Sequence, residues 1–278
     1  MKRTIAIVIT LILALSCLAA CGGGGGGDKN VLRVGTECEY APYNWMQATD
    51  ANGAVPIHGS SDFAYGYDIM IAKYLAEKMG YELEIHRMDW DSLPPAVLTG
   101  AVDCVIAGMS ITAERQMTLD FTTPYYYASI VALVRGDSEF AGATGLAGLA
   151  GANATSQLNT VWYDIMLPQI PGINIQSPMD SAPAMLVSLT SGAVDLVVTD
   201  MPTAQAAVIV YPELKILDFS NSSDGFSVSD EEVNLGIPVN KGNKELLDKL
   251  NGALATLTVA DFEKMMTEAI KVQPLDVD

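Results

Sequence analysis

Positive charge is what this 278-residue chain has least of. It carries 15 lysines and arginines against 33 aspartates and glutamates, a formal charge of −18. No basic face is available to release counterions from a phosphate backbone, which argues against nucleic acid as a partner. Attraction to an anionic membrane by charge alone is disfavoured for the same reason. Histidine is limited to two residues and cysteine to four. Neither His58 nor His86 shares a ligand spacing with a cysteine, so no metal site is predicted. Catalytic signatures are missing too. There is no G-x-S-x-G, no P-loop, no dinucleotide fingerprint and no cysteine beside a histidine. No cofactor is implied. What the chain has in quantity is apolar: half of its residues are hydrophobic. That is enough for one or two domains with their own cores, and disorder is not the default.

The first twenty residues read as an address. Lys2 and Arg3 are followed by a nearly unbroken apolar run, Ile5 to Leu15, and Leu18-Ala19-Ala20 precedes Cys21. Basic start, apolar middle and small residues before a cut describe a secretory signal, and the run is short for a transmembrane helix. Leu-Ala-Ala-Cys resembles the bacterial lipoprotein processing site. That resemblance implies a lipid on Cys21 that holds the protein to the membrane, with residues 21–30 as a glycine-rich tether. Cys17 leaves with the signal, so Cys38 and Cys104 remain. Export permits a disulfide, but Cys38 follows one predicted strand while Cys104 begins another. In parallel neighbouring strands those positions lie at opposite ends, beyond the roughly 7 Å between Cα atoms that a disulfide spans. Two free, buried thiols are expected.

Strand and helix patterns alternate from residue 31 onward. Val31–Thr36 reads as a strand, and Tyr67–Met79 as a helix with apolar residues at helical spacing and Gly80 as its stop. Tyr81–His86 is a second strand, Ser92–Thr99 a short helix, and Val102–Ala107 a third, near-continuously apolar strand. Apolar strands separated by helices predict a parallel sheet covered on both faces. The chain then partly repeats itself: Thr99-Gly100-Ala101-Val102-Asp103 is echoed by Ser191-Gly192-Ala193-Val194-Asp195. Each copy follows a short helix containing Pro-Ala. Two lobes of similar plan follow from this, 31–134 with 235–278 as the first and 135–234 as the second. Strands Ile130–Arg135 and Val233–Val239 are the predicted crossings, a pair that can act as a hinge.

The constellation that carries chemistry suits a small zwitterion, which needs a cation, an anion and an apolar or aromatic surface. Thr112 is a natural N-cap after the buried strand, and it puts Arg115 in the first turn of a helix, where anions are attracted. On position alone Arg115 serves equally well as a solvated helix residue. Asp200 reads as a helix N-cap, and Tyr40 and Trp90 read as core.

At these residues the chain resembles the polar amino acid substrate-binding proteins of ABC importers, solute-binding protein family 3. The resemblance runs through Val34-Gly35-Thr36-Glu37, Tyr40-Ala41-Pro42-Tyr43, Gly66-Tyr67-Asp68-Ile69 and Asp89-Trp90-Asp91-Ser92-Leu93. It continues through Ala107-Gly108-Met109-Ser110-Ile111-Thr112, Glu114-Arg115, Asp120-Phe121-Thr122, Pro124-Tyr125-Tyr126 and Val198-Thr199-Asp200. It implies a periplasmic-binding-protein-like type II fold. Each lobe would be a mostly parallel sheet flanked by helices, and a two-strand hinge would join them. It further implies a monomer that hands an L-amino acid to a membrane permease. Arg115, Ser110 and backbone N–H groups near Gly108 and Thr160 would hold the ligand carboxylate, with Met109, Gln157 and Val161 in the same loops. Asp200 would take the ammonium group, and Tyr40 and Trp90 would sandwich the side chain. Three departures stand out. Gln157-Leu158-Asn159-Thr160 has asparagine where glycine is common, although asparagine tolerates left-handed backbone angles. The stretch from Tyr43 to Gly66 is long and is expected to reshape one rim of the cleft. Glu37 leans the ligand toward Lys, Arg or His, with Gln or cystine otherwise. A dehydratase acting on prephenate-like acids is the enzymatic alternative, with Glu37 as its acid or base. A sensory module on this fold is a third, disfavoured because no signalling segment follows in the sequence.

Overall fold

The computed structural model describes residues 30–274. The predicted signal, the lipidation site at Cys21 and nearly all of the glycine tether lie outside the described residues. Val31–Thr36 is a strand with Leu32 and Val34 fully buried. It pairs in parallel with Glu82–Arg87 on one side and Cys104–Val105 on the other. Pro238–Asn240 adds antiparallel to Cys104–Val105, and Leu119–Phe121 pairs antiparallel with Pro238–Asn240 in turn, which completes a five-stranded sheet with one reversed strand.

The second sheet repeats this plan. Asn174–Ile175, Asn153–Thr155 and Leu196–Asp200 run parallel in that order, Ile130–Arg135 follows reversed, and Leu214–Leu217 pairs antiparallel with it at the edge. The repeated Gly-Ala-Val-Asp leads into the third strand of each sheet, and its aspartate does the same job in both. Asp103 Oδ2 accepts the backbone N–H of Arg33 at 2.8 Å, and Asp195 Oδ2 accepts that of Asn153 at 2.9 Å. Each aspartate thereby ties its strand to the start of the neighbouring one.

As expected, each sheet is mostly parallel: four of its five strands run one way, and only Pro238–Asn240 in the first and Ile130–Arg135 in the second run against them. A helical crossover forces parallel pairing, whereas these two strands are delivered by segments arriving from the other lobe. One expectation is corrected. Ile130–Arg135 belongs to the second lobe. It lies between Leu196–Asp200 and Leu214–Leu217, with Ile130 to Val134 all buried. A strand apolar on both faces suits a sheet centre, not a crossing. The crossings are Tyr126–Tyr127 and Asn234–Leu235, which pair with each other antiparallel.

The helix Tyr67–Met79 has the predicted ends. Ile69, Ile71, Ala72, Leu75 and Ala76 form its buried face, and Gly80 closes it in the left-handed conformation at φ 69°. The late helix Val259–Val272 starts from a capping box in which Thr258 and Asp261 satisfy each other's backbone N–H groups. Cys38 and Cys104 are free and buried, and burial pushes the Cys38 thiol up to about 12. The long stretch before Gly66 folds into a small antiparallel sheet with strands Glu39–Tyr40, Asn44–Gln47, Phe63–Tyr65 and Val55–Pro56 in that order. The wall of the ligand cavity described next takes only Tyr40 from it, while Trp45 and Met46 line a second pocket together with Ala182, Pro183 and Leu186 of the second lobe. Trp45 is buried with its ring edge-on to Tyr65 at 5.3 Å.

Candidate functional site

Parallel strands leave their carboxyl ends pointing one way, and open α/β sheets bind ligands there. Glu37 follows Val31–Thr36, Gly108 follows Cys104–Val105, Gln157 follows Asn153–Thr155, and Asp200 ends its own strand. One cavity gathers Glu37, Tyr40, Trp90, Gly108, Ser110 and Arg115 from the first lobe. Gln157, Thr160 and Val161 face them from the second, together with Trp162, which sequence reasoning missed. Trp162 carries no spacing signal of its own; it is an aromatic two residues past the Thr160 turn.

Arg115 sits in a single-turn helix, Ala113–Gln116, and the Thr112 hydroxyl caps it by accepting the Arg115 N–H. The expected anion attraction at this helix start is already satisfied, because Ala113 N–H donates to Glu231 Oε2 at 2.9 Å. The guanidinium is therefore the functional group here. Its Nη1 donates to Ser110 O and its Nη2 to Asn159 O, both at 2.9 Å, and it lies 5.6 Å from the Trp90 ring centre. Burial lowers its pKa to about 10 and leaves it charged at neutral pH.

Asn159 adopts the left-handed conformation at φ 55°. Its departure from glycine is put to use: the side-chain amide donates to Asp91 Oδ1 at 2.7 Å, from one lobe to the other. Thr160 Oγ1 donates to Gln157 O at 2.7 Å and closes the turn.

Gly108 is at φ 61°, and a Cβ added there would lie 2.9 Å from Tyr40 Cε1. Its N–H donates to Tyr125 Oη at 2.9 Å, and that hydroxyl donates to Asp68 Oδ1 at 2.7 Å. Asn44 Nδ2 donates to the other Asp68 oxygen at 2.8 Å. Burial pushes Asp68 up to about 7 against these bonds. Asp68 and Tyr125 are positioning residues beneath the carboxylate loop. Gly108→Ala is expected to weaken ligand binding by about 1–2 kcal/mol through backbone strain and a displaced Tyr40. Calorimetric titration checks this; an unchanged affinity would show slack in the loop.

Glu37 is 4% exposed and accepts Gln157 Nε2 at 3.0 Å. Burial, with the charge of Glu39 adding to it, pushes its carboxyl up to about 8. Asp200 is fully buried and does cap the helix Met201–Val210, accepting Thr203 N–H at 2.9 Å and Thr203 Oγ1 at 3.2 Å. The Tyr40 hydroxyl also donates to it from the opposite lobe. Asp200 is not in the cavity wall; Tyr40, which is, covers it. Burial pushes the Asp200 carboxyl up. Tyr40 stacks on Tyr43 at 4.8 Å and 14°, and Trp90 packs against Leu93 and Val97. The core and binding readings of these rings are thus compatible, since one face packs and the other lines the cavity. Met109, like Asp200, is absent from the cavity wall. Its side chain is fully buried in the same core cluster as Trp90, and only its backbone belongs to the loop.

Two α/β lobes of one plan, joined by two crossings and facing each other across a cavity lined by Arg115 and Glu37, define the class of two-lobed solute-binding proteins. The chain belongs to the bacterial extracellular solute-binding proteins, family 3, whose profile matches residues 32–267. It is 31% identical over 204 residues to ABC transporter arginine-binding protein 1 of Escherichia coli (strain K12), covering 72% of this chain and 78% of that one. Over 147 residues it is 33% identical to the arginine-binding extracellular protein ArtP of Bacillus subtilis (strain 168). That match covers 52% of this chain and about half, 51%, of the relative. Among solved structures, an ancestral arginine-binding protein bound to arginine is 32% identical with a TM-score of 0.68, covering 86% of this chain and 98% of that one. The protein is therefore an amino-acid-binding component of an ABC importer, acting outside the cytoplasm, and not an enzyme; the dehydratase alternative has less support. Among the described residues, no helix is long and apolar enough to cross a membrane.

Proposed function

We propose that the ligand is a basic L-amino acid, arginine foremost, and that the protein captures it as a monomer tethered to the membrane through lipid on its Cys21. The observation that carries this reading is Glu37. A buried carboxylate faces the cavity with a neutral amide as its hydrogen-bond partner, and a cation is what such a group lacks. The arginine-binding relatives support it. The ligand carboxylate lies on Arg115 and the nearby backbone donors. Its ammonium group displaces the Tyr40 hydroxyl at Asp200, its stem packs between Tyr40 and Trp90, and its cationic end meets Glu37. The lobes, divided between Tyr127 and Ile130 and again near Asn234, close about the paired crossings.

Glu37→Gln tests this directly. It is expected to cut arginine affinity by about 2 kcal/mol or more while leaving a neutral amino acid such as glutamine little affected. The pH dependence has a definite sign. Below about pH 8 free Glu37 holds a proton, and a cationic ligand has to expel it. Arginine affinity should therefore fall as pH drops below about 8, by up to roughly tenfold per unit, and the Gln variant should flatten that slope. Equal arginine affinity in both proteins would remove Glu37 from the site.

A further inference from the structure

The chain's two histidines meet at the edge of the first sheet, outside the ligand cavity. Along Glu82–Arg87 side chains alternate, so Glu84 and His86 share one face while Ile85 is buried on the other. The long stretch before Gly66 runs alongside this edge strand. Ile57 bridges Ile85 in parallel, and His58 N–H donates to Ile85 O at 2.8 Å. That register sets His58 beside His86, and the two rings stack at 4.6 Å and 24°. Both imidazoles turn toward Glu84. His86 Nε2 lies 2.6 Å from Glu84 Oε1, and His58 Nδ1 lies 3.4 Å from Glu84 Oε2. The three potential ligand atoms are within 4.8 Å of one another.

We propose that His58, Glu84 and His86 form a site for a borderline divalent transition ion, represented by zinc. Bound there, it would staple the long stretch before Gly66 to the edge strand of the first lobe. Two imidazoles and one carboxylate are a zinc donor set that leaves a fourth position for water. With ligand bonds of about 2.0–2.2 Å, tetrahedral donors stand a little over 3 Å apart, so side-chain shifts of about an ångström close the set. His58 has that freedom, with 57% of its side chain exposed, while His86 at 22% is more firmly held. Magnesium and calcium prefer all-oxygen shells and are disfavoured. The two histidines lie far apart in the chain and meet only through the register of Ile57 with Ile85, so no ligand spacing in the sequence discloses the site. None of the three residues lines the amino acid cavity, so the site stands independently of the ligand assignment.

The test uses purified protein without a histidine tag, stripped with a chelator and titrated with Zn²⁺ alone against a chromophoric competitor. One ion per chain is expected, with no competition from millimolar Mg²⁺. His58→Ala and His86→Ala should each weaken binding by roughly tenfold or more, and the double variant should abolish it. Co²⁺ in place of zinc should give visible absorption bands that the double variant loses. Saturating zinc should also raise the unfolding temperature of the parent and not that of the double variant. Amino acid affinity and zinc-free unfolding temperature should stay at parental values in all variants, which separates ligand loss from misfolding. Zinc binding weaker than millimolar, or equal binding by the parent and the double variant, would overturn the proposal.

Discussion

Arg115→Ala is expected to abolish amino acid binding. Arg115 is a half-buried cation in the cavity wall, and its planar fork matches a carboxylate in two-point contact. Truncating one partner of a buried, hydrogen-bonded charge pair costs about 2–5 kcal/mol, a loss of roughly 30- to several thousand-fold. The variant also loses the bond from Nη2 to Asn159 O, which joins the two lobes. Arg115→Lys keeps the charge without the fork, so an intermediate loss is expected. Isothermal titration on both variants reads the effect. Parental affinity in the Ala variant would move the carboxylate site away from this loop.

Asp200→Asn is the second large effect, and its value lies in what should not change. Asparagine caps a helix as well as aspartate does, so the start of Met201–Val210 should survive. What disappears is the negative charge proposed to meet the ligand ammonium group. A loss of affinity of about 2–5 kcal/mol is expected. Burial pushes the Asp200 carboxyl up in the folded protein. Above the ordinary carboxylate range its ionised form therefore disfavours folding, and that penalty grows as pH rises until the shifted carboxyl has titrated. The ligand-free variant should consequently unfold at the parental temperature or above it. Affinity and stability falling together would assign Asp200 a structural role only.

Much of this architecture is legible in local sequence. Helix Tyr67–Met79 has the ends that its apolar spacing and its Gly80 stop predict, because such signals are local. The Gly-Ala-Val-Asp repeat pointed to two lobes of one plan, and the structure supplies its reason in the matching bonds of Asp103 and Asp195. Site loops were found because each follows a strand end. What stayed hidden depends on pairing between distant segments. The place of Ile130–Arg135 was obscured because a crossing strand and a central strand are both apolar. Asp68 and Tyr125 lay in recognised motifs without a role, since their relay to Gly108 exists only after folding. The Tyr40–Asp200 bond and the Asn159–Asp91 bond join opposite lobes, and no spacing rule reaches across a cleft.

The central claim, a receptor for a basic L-amino acid, is tested most directly by thermal unfolding of the protein against the twenty amino acids. The protein is first unfolded and refolded to strip any carried ligand. Ligand at 100 times its Kd adds about 2.7 kcal/mol, a shift of roughly 5–10 °C for a protein of this size. The account predicts that shift with arginine, smaller ones with lysine or histidine, and little with glutamine or cystine. A shift with a neutral amino acid and none with the basic three would contradict it.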